Sequence, residues 1–238
     1  NFWGVPIYES YAEWLASPYS DPETGQTCQD CHMKPDGITT NFAPGRGGVE
    51  RDPQTIFSHD FPGGADTNLL QNTAELQVEV THENGTAQVT ITVTNTEAGH
   101  HIPTDSPLRQ IFLVIIAIDS TGKPLNLLEG ALLPDWAGDL AGQPGRYYAK
   151  ILQQLWTEET PTSAYWTKTR ILEDTRIAAL ESDTSTYIFE IPETDDFTIE
   201  ATLIYRRAFY DLAYQKGWEI PDILMEEIIV EESKRYSP

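Results

Sequence analysis

Both cysteines of this chain fall in one five-residue stretch, Cys28-Gln29-Asp30-Cys31-His32. Two thiols separated by two residues, with an imidazole directly after the second, is a spacing suited to covalent attachment of a porphyrin. Each thiol must reach one vinyl group of the same ring and form a thioether. Two intervening residues let the backbone turn so that both sulfurs face the ring edge. The next side chain then lies beneath the ring, where His32 can offer a nitrogen to iron as the proximal ligand. Three other chemistries compete. A redox dithiol belongs where a strand meets a helix in a βαβ unit, and no such unit is readable here. A zinc site needs four ligands, and there is no second cysteine pair, although His59, His100 and His101 could complete one. A Cys28–Cys31 disulfide closes too small a ring to add much stability and leaves His32 unused. One covalent haem c accounts for all three residues and consumes both thiols.

A sixth ligand must come from elsewhere. His59 stands in Phe57-Ser58-His59-Asp60-Phe61-Pro62-Gly63-Gly64. Its aromatic neighbours could pack on a porphyrin, and the glycines let the chain pass close to one. That makes His59 the first candidate for the distal position. His100 and His101 are the alternatives, in a tight turn bounded by Gly99 and Pro103. Met225, a ligand from another chain, or an open iron site complete the possibilities. Met33 follows the proximal ligand too closely to reach the other face of the ring. His82 falls at a hairpin tip, Thr81-His82-Glu83-Asn84-Gly85, and is expected to be exposed.

Little else carries chemistry. There is no nucleophile elbow, no glycine-rich phosphate loop, no paired-histidine zinc helix and no calcium-loop spacing. The formal charge is −22, from 37 acidic and 15 basic residues. Such a surface repels nucleic acid and anionic lipid and favours basic partners. No apolar run is long enough for a membrane helix. The sequence opens on Asn1 rather than Met, which is consistent with removal of a leader or of a longer stretch. Haem attachment of this kind takes place outside the cytoplasm in prokaryotes, so the expected location is periplasmic or extracellular.

The elements that must hold these residues divide the chain in two. Residues 1–72 are loop-rich, with one short helix expected around 8–16, where Tyr11, Trp14 and Leu15 recur at helical spacing. Residues 73–238 are expected to form an immunoglobulin-like β-sandwich. Strands 75–81 and 89–93 alternate about an Asn84-Gly85 turn, and 110–118 is apolar on both faces and therefore central. Further strands are expected at 184–191, 198–205 and 228–232. Two helical insertions are expected: 147–156, from the spacing of Tyr148, Ile151, Leu152, Leu155 and Trp156, and 206–217, closed by Gly217. The class is thus mainly β, with an irregular or α N-terminal haem segment.

Four stretches together resemble a known family. YAEWLASPYSDPETGQTCQDCHMKP and FSHDFPGG are similar to the haem segment of multihaem c-type cytochromes of the cytochrome c554 kind. VTNTEAGHHIPTDSPLRQIFLVIIAID resembles the segment that opens their C-terminal β domain, and EDTRIAALES a later element with Asp174 and Arg176. The resemblance implies thioethers at Cys28 and Cys31, proximal His32 and a distal role for His59. His100 falls on the family's A-G-H histidine. Asp105 stands where the family usually has glycine, and no further haem motif is present. The resemblance therefore implies a single-haem relative or the C-terminal part of a longer cytochrome. Relatives that stack haems into extracellular filaments imply redox partners, or further copies of the chain, as neighbours.

The expected function is electron transfer, since an iron with two axial ligands has no open position for substrate. A haem enzyme or sensor with an open distal face, taking nitrite, hydroxylamine, peroxide or a gas, is the alternative. A third role, compatible with the first, is an assembly module in which the sandwich docks and spaces neighbouring cytochromes.

Overall fold

The computed structural model describes residues 5–164, 166–191 and 196–233. The ends of the two expected spans, at residues 1 and 238, lie outside the described residues. The first part of the chain carries three short helices joined by loops: α1 (Ser10–Leu15), α2 (Cys28–His32) and α3 (Thr67–Gln71). Nine strands follow: β1 (Ala74–Glu83), β2 (Thr86–Asn95), β3 (Gln110–Asp119), β4 (Asn126–Glu129), β5 (Gly145–Gln154), β6 (Thr169–Asp174), β7 (Ser182–Glu190), β8 (Phe197–Arg206) and β9 (Ile223–Glu232). One helix, α4 (Tyr210–Lys216), interrupts the last pair. Among the described residues no helix is long and apolar enough to cross a membrane.

The strands form two antiparallel sheets, ordered β1-β2-β7-β4 and β6-β5-β3-β8-β9. That is the immunoglobulin-like arrangement, with β5 and β6 added beside the central strand. Local chemistry explains the pairing. Asn84 and Gly85 both take positive φ, 52° and 80°, which closes the β1–β2 hairpin with a turn whose twist suits the strands. In β2, Ala87, Val89, Ile91 and Val93 all reach 0% exposure while the residues between them face outward. Val89, Ile91 and Val93 each contribute about 1.5–3 kcal/mol by leaving water. Strand β3 is buried on both faces. Ile111, Leu113 and Ile115 join the core between the sheets, and Phe112 and Val114 pack outward against Leu133 and Ala137.

The first helix falls within the expected span, but it does not bury the expected stripe. Tyr11 and Leu15 are exposed, and the buried side chain is Glu13. The helix expected at 147–156 is strand β5, followed by a turn carrying the exposed Leu155 and Trp156. The reason is burial without periodicity. Every residue from Tyr148 to Leu152 is buried, because β5 lies between β3 and β6 and is covered on both faces. A two-sided strand and an amphipathic helix both place apolar residues three and four apart, so the spacing alone misled. The second expected insertion is shortened to α4, with residue 206 still in β8, and Gly217 closes it in the left-handed conformation, φ 63°. Strands β4 and β6 went unanticipated: both are short, largely exposed edge strands without alternation.

Candidate haem site

Helix α2 is a single turn, and its start is braced from within. The Asp30 carboxylate accepts from the Thr27 backbone N–H at 2.7 Å and from the Thr27 hydroxyl at 2.8 Å. These bonds hold the Asp30 carboxyl below its ordinary value. One helical turn puts Cys28, Cys31 and His32 at i, i+3 and i+4, on the same face. That face lines a cavity of about 580 Å³ between the N-terminal segment and one end of the sandwich. The volume falls within the usual range for small-molecule and cofactor pockets. Burial pushes the Cys31 thiol up from its ordinary value, against the pull of Lys34.

His32 is oriented by its inner nitrogen. Its Nδ1 lies 2.6 Å from the Pro62 carbonyl. A carbonyl only accepts, so Nδ1 carries the proton and Nε2 keeps its lone pair for a metal. The ring also stacks on Phe61, with centroids 5.0 Å apart and planes at 17°. The stretch FSHDFPGG thus serves His32 through Phe61 and the Pro62 carbonyl. Gly64 passes against Tyr205: a Cβ there would collide with the Tyr205 hydroxyl. His59 itself is exposed and stands outside the cavity wall.

The imidazole facing His32 in the cavity is that of His100. Its Nδ1 lies 2.9 Å from the His101 carbonyl, which fixes the same tautomer and again leaves Nε2 free. The two ring centroids are 6.3 Å apart and the planes differ by 13°. The two rings are stacked on the cavity side of the Cys28–His32 helix, with both Nδ1 atoms turned to backbone carbonyls. Burial, opposed by the His101 carbonyl and by Glu13, lowers the His100 pKa and so favours the neutral imidazole that a metal needs.

The loop carrying His100 is anchored on both sides. Asn95, fully buried at the end of β2, donates through Nδ2 to the His100 carbonyl at 2.8 Å and to the Ile177 carbonyl at 3.2 Å. Its Oδ1 accepts from the Ala98 N–H at 3.1 Å. From the other side Ser17 donates to the Gly99 carbonyl at 3.0 Å, and Tyr19 to the Thr96 carbonyl at 3.2 Å. Gly99 is required by contact: a Cβ there would sit 2.9 Å from Tyr19 Cγ.

The remaining candidates separate. His101 turns away from the cavity, its Nδ1 3.9 Å from Glu13 Oε1. Met225 is buried in the cavity wall where β9 meets the sandwich core. His82 is exposed on β1, edge-on to Phe197. Among the described residues, no three His, Cys, Asp or Glu side chains gather as a bare metal ion would need. Two thiols and two free Nε2 atoms around a roomy, largely apolar cavity instead fit a haem bound through its edge and its iron. The sequence offered Phe61 as a ring for the porphyrin rather than for His32, and spacing alone missed Pro62 and Asn95, which touch the site or its loop. Asn95 had a readable signal, a polar residue at the end of an alternating strand.

Comparison with solved structures adds the fold. A penta-haem cytochrome c552 from Thermochromatium tepidum superposes with a TM-score of 0.68 over 96% of this chain, at 19% sequence identity. The chain has a multihaem-cytochrome-like fold. It spans 52% of the length of that cytochrome. A Mu homology domain from Danio rerio and a PapD-like domain of human CEP192 align with TM-scores of only 0.25 and 0.24 and carry no argument. No family model matches the sequence, and no curated protein does.

Proposed function

We propose that this chain is a c-type cytochrome subunit that would carry one haem, held through Cys28 and Cys31 with His32 and His100 to bind its iron, and that it passes electrons between redox partners. The observation that carries the reading is the imidazole pair: two rings 6.3 Å apart across one cavity, each with Nδ1 tied to a backbone carbonyl. When bound, the haem supplies a one-electron iron couple. The protein's part is to hold the two imidazoles by their Nδ1 atoms and to line the cavity with Trp14, Tyr19, Phe61 and Met225, which would keep water from the metal. Arg109, also in the wall, offers a cation to the carboxylates of the group.

This reading replaces His59 by His100 as the distal ligand. It leaves no open position, which sets it against a substrate- or gas-binding haem. The acidic surface suits a basic redox partner. The similarity to one half of a penta-haem protein supports work beside other haem-bearing segments, in a longer chain, a complex or a filament. Covalent attachment supports an exported protein.

The test is the visible spectrum of haem-loaded protein, oxidised and reduced, for wild type, His100→Ala and His59→Ala. The expected result is a six-coordinate low-spin haem in wild type and in His59→Ala, and a high-spin haem that takes cyanide in His100→Ala. A low-spin spectrum that survives His100→Ala but not His59→Ala would overturn the ligand assignment. Wild-type protein without haem bands would overturn the function.

A further inference from the structure

We infer that Glu13 and Arg176 are positioning residues for the distal histidine, acting as a buried ionic clamp on the loop that carries His100. The inference rests on the ligand assignment above and adds what holds that ligand in place. The Glu13 and Arg176 side chains are only 5% and 4% exposed and meet through Arg176 Nη1 and Glu13 Oε1 at 2.5 Å. Burying two charges is costly unless geometry and further hydrogen bonds offset it. Here every further bond leads towards the loop or braces the pair.

Glu13 Oε2 accepts from the Thr104 hydroxyl at 2.5 Å and from the His101 backbone N–H at 3.2 Å. One carboxylate therefore grips the loop on both sides of Ile102. Residue 101 is the link to the ligand, because its carbonyl accepts from His100 Nδ1. Moving residue 101 moves the acceptor that sets the direction of the His100 ring. Arg176 holds the other end. It forks onto Asp174 with bonds of 2.8 and 2.7 Å. The next residue, Ile177, exchanges two backbone bonds with Ile102, at 2.9 and 3.1 Å. The loop is thus pinned between a helix that precedes the haem motif and the segment that follows β6.

A second ion pair, between a buried lysine and a partly exposed glutamate, keeps that helix seated. Lys150, 2% exposed on β5, reaches Glu9 Oε2 at 2.5 Å and the Pro6 carbonyl at 3.3 Å. Glu13, Asp174 and Arg176 are otherwise unexplained by the haem chemistry. Glu13 lies far in the sequence from Asp174 and Arg176, and the fold brings them together behind His100 rather than in the cavity.

The test uses haem-loaded protein and reads ligation directly. Glu13→Ala should show a high-spin fraction at room temperature and bind cyanide at least about tenfold faster than wild type, as expected for losing hydrogen bonds to a charged acceptor. Glu13→Gln keeps the acceptor oxygen for the loop and should return most of the low-spin spectrum. A residue with only a structural role would lower the melting temperature and leave the spectrum and the cyanide rate of the folded protein unchanged. That outcome in Glu13→Ala overturns the clamp. If Glu13→Ala does not fold, Thr104→Val decides: a several-fold faster cyanide rate supports the clamp, and a wild-type rate overturns it. His100→Ala, measured in the same series, reports on the ligand assignment separately.

Discussion

The two imidazoles show how little of a ligand's competence lies in the side chain itself. His32, His59 and His100 are chemically the same, and each has an apolar or glycine-rich neighbourhood in the sequence. They differ in what holds Nδ1. For His32 and His100 a backbone carbonyl does so, from Pro62 and His101 respectively. A carbonyl partner fixes tautomer and direction, which is what a metal ligand requires. Asn95 does the equivalent work for the backbone, joining the His100 and Ile177 carbonyls to the Ala98 N–H. Asn95→Ala should therefore destabilise the protein by about 2–3 kcal/mol, since it strands buried polar groups as well as losing bonds. Chemical denaturation of the haem-loaded protein measures this, and a change under about 0.5 kcal/mol would mean the loop does not depend on Asn95.

At the level of elements, what α1 buries against the β domain is a charged side chain rather than an apolar stripe. The helix exposes Tyr11 and Leu15 and buries Glu13 against Arg176, with Glu9 on Lys150 beside it. This makes the docking sensitive to acid. Burial raises the Glu13 carboxyl, but the Thr104 hydrogen bond and Arg176 outweigh it, so its folded pKa lies below the ordinary value. Asp174 is lowered in the same way, with Arg176 overcoming burial. A carboxyl with a depressed folded pKa contributes stability above its unfolded pKa, about 4, and loses it as pH falls through the folded value. Denaturation midpoints should thus drop between pH 6 and pH 3. Exposed turn carboxyls such as Asp21 and Asp36 are lowered too, by hydrogen bonds in their own turns, and add to the drop. Arg176→Met isolates the clamp's share: the difference between pH 6 and pH 3 should shrink in that variant, and an unchanged difference would remove Arg176 as the cause.

At the level of the whole molecule, the dominant quantity is the net charge of −22. Summed over a small protein, such a charge draws in basic partners and speeds their encounter, and salt screens it. If the chain passes electrons to a basic redox protein, the second-order rate constant should fall by about tenfold or more between 10 mM and 500 mM salt. Stopped-flow electron transfer at several ionic strengths checks this. A rate that does not vary with salt would assign the acidic surface to solubility alone.

Some of this was determined by sequence alone. The spacing of Cys28, Cys31 and His32 is local, and one helical turn is enough to put the three on one face. The sandwich was also legible where one face of a strand is wet, because β1 and β2 alternate with period two. Strand β5 was not, since burial on both faces erases the alternation and leaves a spacing that a helix shares. Which imidazole lines the cavity beside His32 was decided only by tertiary structure. His59 precedes the two residues, Phe61 and Pro62, that support His32, yet it faces outward. His100 lies 68 positions after His32 in the sequence, and a buried asparagine and a buried glutamate bring its loop to the cavity. Sequence records which residues can ligate. Which of them come to line one cavity is set by contacts across the fold, and those contacts join residues that no local spacing connects.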